Sequence, residues 1–95
     1  MEGKTRKNVN YRVEVKPSAE KELLRLSKND SSVILWRIQS LAEIQRPGGA
    51  IKLKAKDFWR IRVGRFRIIY RIEEKQKLIE VVRIMRRRED TYKGL

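Results

Sequence analysis

Alternation of apolar and polar residues marks several extended segments of the chain. Residues 10–16 (NYRVEVK) alternate with a period of two, as expected for a strand with one buried face. The same pattern recurs at residues 58–63 and 66–73, which a short Gly-Arg turn separates. Residues 78–85 (LIEVVRIM) are apolar on both faces, which indicates a strand inside a sheet. Residues 51–54 predict a further strand or an extended lead-in.

Two stretches with helical spacing lie between the first and the later strands. Residues 18–27 predict a short amphipathic helix, and Pro17 suits its first turn. A longer helix should follow, with its N-cap among residues 29–31 and its end near Gln45. We expect Trp36 to pack in the core of this helical hairpin. The predicted apolar stripe of the second helix is Ile34, Leu35, Ile38, Leu41, Ala42 and Ile44.

These segments together predict an α+β fold in the order β-α-α-β-β-β. We expect one domain over residues 10–95, preceded by a flexible basic arm at residues 1–9. Two helices can cover only one face of the antiparallel sheet. The other face is therefore open to a partner or a substrate.

The charge of the chain favours an anionic partner. Its 95 residues contain 25 Lys and Arg but 12 Asp and Glu, a net charge of +13. Residues 51–95 hold 15 of the basic and 6 of the acidic residues. Such an excess in one half of a small domain is typical of proteins that bind a polyanion or an acidic protein.

The missing residue types exclude several kinds of chemistry. Cysteine and histidine are both absent, which argues against a zinc site, a thiol nucleophile and a Ser-His-Asp triad. We therefore expect neither a metal nor another cofactor. No apolar run is long enough to cross a bilayer, and no disulfide can form, so we expect a cytoplasmic protein without a membrane partner.

Arginines on the predicted strands are the leading candidates for function. Arg60 and Arg62 are two residues apart, so they project from the same face of their strand. Arg67 follows the turn and can lie beside them, and Arg83 can join from the last strand. Guanidinium groups bind phosphate through paired hydrogen bonds. The competing interpretation is a solvated face with no ligand.

A tyrosine in the polar C-terminal tail is the second candidate. The hydroxyl of Tyr92 could exchange a proton, and its ring could stack on an unpaired base. The alternative is that Tyr92 only fastens the tail to the sheet. Tyr70 and Phe66 are expected to face the core.

The C-terminal half resembles the RelE/ParE toxin superfamily. The resemblance rests on the segment KLKAKDFWRIRVGRFRIIYRIEEKQKLIEVVRIMRRREDTY. The recurrent pattern of that superfamily is similar. It begins with a KLxG lead-in and Y-R-I-R-x-G-x-Y-R-I-I-Y, continues with an acidic turn and a V-V-x-V strand, and ends in an arginine-rich segment closing on Tyr. The helical hairpin also fits, so the resemblance covers roughly residues 10–95. It implies a RelE-like fold with a helical hairpin on one face of the sheet.

The resemblance also implies a function and a set of site residues. RelE-like toxins of type II toxin–antitoxin systems enter the ribosomal A site and cut mRNA, with the substrate 2′-hydroxyl attacking the adjacent phosphate. An acidic, RelB-like antitoxin would bind the toxin, which would be monomeric when free. The implied catalytic residues are Arg60, Arg62, Arg67, Arg87 and Tyr92. The residues expected to bind RNA are Lys52, Lys54, Arg65, Arg83, Arg86 and Arg88.

Two alternatives to the RelE-like nuclease remain open from the sequence. One is a ParE-like toxin of the same fold that inhibits DNA gyrase and is no nuclease. The other is a non-toxic RNA-binding module. The sequence also leaves the general base open, because arginine stands at positions 60 and 62 where some RelE-like enzymes have lysine.

Overall fold

The computed structural model describes residues 10–55 and 57–86 of the chain. The helices and strands, in chain order, are β1 (Arg12–Val15), α1 (Pro17–Leu24), α2 (Lys28–Ser40), β2 (Ile51–Lys52), β3 (Phe58–Val63), β4 (Phe66–Glu73) and β5 (Leu78–Arg86). Every predicted element is present, and the segment 51–54 contributes the two-residue strand β2. The predicted arm at residues 1–9 lies outside the described residues.

The five strands form one sheet in the order β1-β5-β4-β3-β2. The predicted α+β class is confirmed, and β5 lies inside the sheet as its two apolar faces indicated. The sheet is mixed, however, because β1 pairs with β5 in parallel while the other three pairings are antiparallel. The alternation within a strand shows which face is buried, but it does not show in which direction the neighbouring strand runs.

Both helices pack on the same face of this sheet and enclose the core. α1 lies along β5, and α2 lies against β3. The buried apolar side chains of the core are Ala19, Ile34, Ile38, Leu41, Ile61, Val63, Phe66, Ile68, Tyr70, Ile72, Ile79, Val81 and Ile84. Because β3 and β4 send alternate residues into this core, their other residues must project from the opposite, helix-free face. We call this the open face.

The packing of Trp36 differs from the prediction. Its side chain is 66% exposed, whereas Ile34 and Ile38 are buried. Successive residues of an α-helix are about 100° apart, so a residue midway between two core positions lies on the far side of the helix. Leu35 and Ile44 of the predicted stripe are exposed as well.

The N-cap of α2 also differs from the prediction. Ser27 caps the helix, and its hydroxyl accepts a hydrogen bond from the backbone N–H of Asp30 at 3.1 Å. We expected the cap among residues 29–31, which instead belong to the first turns of α2. Because the side chain of Ser27 accepts from an amide of the first turn, α2 begins at Lys28, before the residues predicted to cap it.

Side chains of α1 complete the edge of β5 where β1 ends. β1 pairs only with Leu78–Val81 of β5. Beyond this segment the hydroxyl of Ser18 donates a hydrogen bond to the carbonyl oxygen of Val82 at 2.7 Å. The carboxylate of Glu22 accepts a hydrogen bond from the backbone N–H of Ile84, also at 2.7 Å. The helix thereby satisfies backbone groups that a sheet edge would otherwise present to other chains.

Candidate functional site

Three arginines come together on the open face at one end of β3 and β4. Arg62 lies directly opposite Arg67 in the antiparallel ladder, and Arg60 lies opposite Ile69. Their chain neighbours Ile61 and Ile68 belong to the core, so the arginine side chains leave the sheet on the helix-free side. We call Arg60, Arg62 and Arg67 the arginine surface. Their common face is the one that the alternation predicts.

The three side chains of the arginine surface differ in how far they are buried. Arg62 is exposed, Arg60 is half-buried, and Arg67 is only 5% exposed. The neighbouring positions in the ladder on this face hold Ile51, Ile69 and Met85, none of which is acidic. A guanidinium keeps its charge at any usable pH. The cross-strand pairing therefore concentrates positive charge at this end of the sheet.

The other end of the open face is electrically balanced. A guanidinium nitrogen of Arg71 lies 2.9 Å from Glu80 and another lies 3.0 Å from Glu73. Lys16 adds a contact of 3.6 Å to Glu80. The hydrogen bond from Arg71 lowers the pKa of the Glu80 carboxyl, despite the opposing effect of its burial. This end is suited to holding the strands together and does not offer free positive charge.

Among the residues predicted to bind RNA, Arg83 has the clearest structural role. Its guanidinium lies 2.8 Å from the carboxylate of Glu22 on α1. The hydrogen bond that the guanidinium donates to this carboxylate raises the pKa of Arg83. The same Glu22 binds the backbone of Ile84, so the ion pair is part of the edge that α1 completes. Nothing in the local sequence pattern links Glu22 to β5, because the two are about sixty positions apart.

Two other predicted RNA-binding residues lie on the helix-covered side of the sheet. Lys52 is opposite Trp59 in the β2–β3 ladder, and Trp59 packs against the core. Arg86 is opposite Phe66, with its guanidinium carbon 5.1 Å from the centre of the phenyl ring. That distance is within the range of a cation–π contact. The structure therefore separates these residues from the arginine surface.

The remaining predicted residues lie in turns or outside the described part of the chain. Lys54 and Arg65 are exposed, the first after β2 and the second in the turn between β3 and β4. Arg87, Arg88 and Tyr92 lie outside the described residues. Of the eleven predicted residues, the structure thus brings together Arg60, Arg62 and Arg67.

Tyr70 has a structural role, as the alternation predicts. Its ring is fully buried, and its hydroxyl donates a hydrogen bond to the carbonyl oxygen of Gln45 at 2.7 Å. Burial raises the pKa of this hydroxyl to about 12, although the charges of Arg46 and Arg37 act in the opposite direction. The hydroxyl stays protonated at neutral pH and ties β4 to the segment that follows α2.

The arginine surface can bind and stabilise negative charge, but arginine is a poor proton acceptor. Guanidinium groups offer several N–H donors in a fixed fork and no lone pair for a proton.

Within residues 10–55 and 57–86, no three Asp or Glu side chains are grouped so that they could hold a metal ion. The same described residues contain no helix of the length and apolar character that a membrane span requires.

A model of the ParE toxin family, described as toxins of the type II toxin–antitoxin system parDE, matches residues 13–91. The chain belongs to this family. The match begins in β1 and continues past the end of β5, so it includes the whole arginine surface. Among curated protein sequences, none matches the chain significantly.

Solved structures similar to the chain include RelE toxins. A chain of the archaeal RelE–RelB complex from Pyrococcus horikoshii is 28% identical, with a TM-score of 0.77, and the match covers 85% of this chain and 99% of that one. A chain of the Mycobacterium tuberculosis complex RelBE2 is 22% identical, with a TM-score of 0.69 and coverage of 84% and 95%. The isolated RelE toxin of E. coli is 16% identical, with a TM-score of 0.74 and coverage of 88% and 93%. The chain is therefore a toxin of the RelE/ParE superfamily in both sequence and fold.

Proposed function

We propose that this toxin is an endoribonuclease that cuts mRNA in the A site of the ribosome. The observation that supports this most directly is the pairing of Arg62 with Arg67 on the open face. Like charges directly opposite each other destabilise a sheet. A phosphate bound between the two guanidinium groups would remove the repulsion.

The proposed reaction is an attack by the 2′-oxygen of the substrate on the adjacent phosphorus. The new bond between the 2′-oxygen and phosphorus closes a cyclic phosphate, and the bond from phosphorus to the 5′-oxygen breaks. Arg60, Arg62 and Arg67 would bind the phosphate and stabilise the charge that builds up on its oxygens in the pentacoordinate intermediate. The proton of the 2′-hydroxyl must leave, and a proton must reach the departing 5′-oxygen.

Proton transfer and further binding are assigned to the C-terminal segment and to the ribosome. We assign Tyr92 to base stacking or proton transfer and Arg87 to the phosphate. Lys52, Lys54, Arg65, Arg83, Arg86 and Arg88 remain candidates for contacts with RNA. The arginine surface supplies no proton acceptor, which is consistent with a need for groups that only the ribosomal complex brings together.

The partner that we propose for the free toxin is an acidic, RelB-like antitoxin. The similar chains from Pyrococcus horikoshii and Mycobacterium tuberculosis both come from toxin–antitoxin complexes. The net charge of +13 would attract an acidic protein as well as RNA. We expect the unbound toxin to be a monomer in the cytoplasm.

A second candidate function is the inhibition of DNA gyrase without nuclease activity. The match to the ParE family model favours it, because ParE-like members of the superfamily act in this way. The two functions make different demands on the arginine surface. A nuclease requires these arginines to bind the scissile phosphate, whereas a gyrase inhibitor needs only a surface that fits the enzyme.

The experiment that separates the two functions maps mRNA ends on translating ribosomes after the toxin is induced. We expect cuts in phase with codons for the native chain, and their loss in Arg67→Ala. Arg25→Ala serves as the control, because it removes one exposed arginine from the helical side of the molecule. Intact mRNA together with accumulated gyrase–DNA cleavage complexes would support the second function instead.

A further inference from the structure

A cleft opens beside the arginine surface where the short strand β2 ends. β2 pairs with Trp59 and Arg60 of β3 and extends no further along its edge. The chain that enters β2 turns away through a tight bend in which Ala50 N–H donates a hydrogen bond to the carbonyl oxygen of Pro47 at 2.9 Å. The resulting cleft has a volume of about 320 Å³. Its lining residues are Arg37, Gly48, Gly49, Ile51, Ile61 and Arg62.

Two arginines from different elements line this cleft. Arg37 comes from α2 and Arg62 from β3. Within residues 10–55 and 57–86, neither guanidinium makes an ion pair or a hydrogen bond with another residue. By contrast, Arg71 and Arg83 are both held by carboxylates. The cleft therefore contains two cationic groups whose donors are available to an anion.

The glycine pair in the lining of the cleft allows close approach to the backbone. Gly49 has a φ of 89°, a left-handed conformation that favours glycine. No atom lies within 4 Å of the position that a Cβ would take at Gly48 or at Gly49. Neither of their backbone N–H groups donates a hydrogen bond within the described residues. Open amides next to guanidinium groups are a common means of binding phosphate in proteins.

We infer that this cleft is a second phosphate subsite, which holds the RNA strand beyond the arginine surface. Arg62 belongs to both, because it lies opposite Arg67 on the open face and also lines the cleft. A strand whose scissile phosphate lies on the arginine surface would pass the edge of β3 and place a neighbouring phosphate between Arg62 and Arg37. The inference rests on the proposed function, since it assumes that RNA occupies the open face.

Salt dependence of RNA affinity is the measurement that counts such contacts. The probe is a short single-stranded RNA with 2′-O-methyl sugars, which cannot be cut by attack of a 2′-hydroxyl. Each phosphate contact to a single strand contributes about 0.7 to the slope of log affinity against log salt. We expect Arg37→Ala to reduce this slope by about 0.7 and Arg37→Lys to retain it. The matched control Arg25→Ala removes the same charge from an exposed site outside the cleft and should leave the slope unchanged.

A second variant tests the cleft without removing an arginine. Gly48→Glu adds a carboxylate to the lining of the cleft, where the structure has room for a side chain. It should weaken RNA binding more than Ser32→Glu, which adds the same charge to an exposed position of α2 outside the cleft. Thermal unfolding of each variant shows whether a loss of binding reflects a loss of fold.

Several outcomes would overturn the subsite. An unchanged slope in Arg37→Ala would do so, and so would equal effects of the two Glu variants. If Arg37→Ala leaves RNA affinity intact but weakens binding of poly-glutamate, the cleft holds carboxylates of an acidic protein and the inference is wrong. Failure of the proposed function looks different, because the native chain would then leave ribosome-bound mRNA intact whatever the slopes show.

Discussion

Arg62 and Arg67 lie directly opposite each other on the open face of the sheet, across the turn that joins β3 and β4. A threonine or a glutamate at either position would make the pairing of the two strands more stable. The chain nevertheless keeps an arginine at both positions. The arrangement is understandable if the two groups bind an anion between them.

The first prediction concerns the stability cost of this pair. Arg62→Gln removes the repulsion and keeps a long polar side chain on the same face. We expect the free energy of unfolding to rise by about 0.2–1 kcal/mol, measured by urea denaturation at low salt, with a smaller gain at high salt. Arg12→Gln is the control, since the side chain of Arg12 is exposed beside Glu14 on β1 and should contribute little. A variant Arg62→Gln that is less stable than the native chain at low salt would contradict the prediction.

The second prediction concerns the pH dependence of the balanced end of the open face. The pKa of Glu80 is lowered in the folded chain by its hydrogen bond from Arg71. The stabilisation is therefore present above the ordinary pKa of 4.5 and is lost as the pH falls through the lower, folded value. We expect Glu80→Gln to be less stable than the native chain at pH 7, by about 1–3 kcal/mol.

The difference between the two proteins should shrink as the solution is acidified below the ordinary pKa of the carboxyl. Urea denaturation at a series of pH values provides the measurement. Glu74→Gln is a useful comparison, because Glu74 is exposed in the turn after β4 and pairs with Arg46 of the segment that follows α2. A stability gap for Glu80→Gln that stays constant through acid pH would show that the ion pair with Arg71 is not its cause.

The third prediction concerns the edge of β5 that α1 completes. Glu22→Ala removes the acceptor for the backbone N–H of Ile84 and the partner of Arg83. Leaving a partly buried donor without a partner costs about 1–3 kcal/mol. We expect a lower melting temperature and faster hydrogen exchange at the Ile84 amide. Glu20→Ala on the exposed side of the same helix should change neither the melting temperature nor the hydrogen exchange of the Ile84 amide. An unaffected Ile84 amide in Glu22→Ala would refute the role of Glu22 at this edge.

The fourth prediction compares two apolar residues of α2. Ile38 is 1% exposed and Trp36 is 66% exposed. We expect Ile38→Ala to lower the free energy of unfolding by about 2–5 kcal/mol, and Trp36→Ala to change it by no more than about 0.5 kcal/mol. Chemical denaturation of both variants measures this. A large loss in Trp36→Ala would mean that Trp36 contributes to the core after all.

The sequence was sufficient to predict β1, β3 and β4 because their apolar and polar residues alternate regularly, and β5 because it is apolar on both faces. The faces of Arg60, Arg62 and Arg67 follow from that alternation alone. The direction of β1 and the cap at Ser27 could not be read in the same way. The first depends on how the whole chain crosses over, and the second depends on a choice between several neighbouring polar residues that could each cap the helix.

The surroundings of the other basic residues depend on contacts between distant parts of the chain. Arg83 was predicted to join the arginine surface, and its strand position allows this. Its ion pair with Glu22 exists because α1 lies along the edge of β5, which no local pattern reveals. The cleft at Arg37 likewise requires the bend at Gly48 and Gly49 to lie beside β3.

The proposed nuclease activity is tested most directly by cleavage of a defined mRNA on purified ribosomes. Two substrates are compared, one with ribose throughout and one with a 2′-deoxy sugar on the 5′ side of the scissile phosphate. We predict that the native toxin cuts only the first, leaves a cyclic phosphate, and loses most of its activity in Arg67→Ala but not in Arg25→Ala. Failure to cut either substrate, or equal cutting of both, would contradict the proposal.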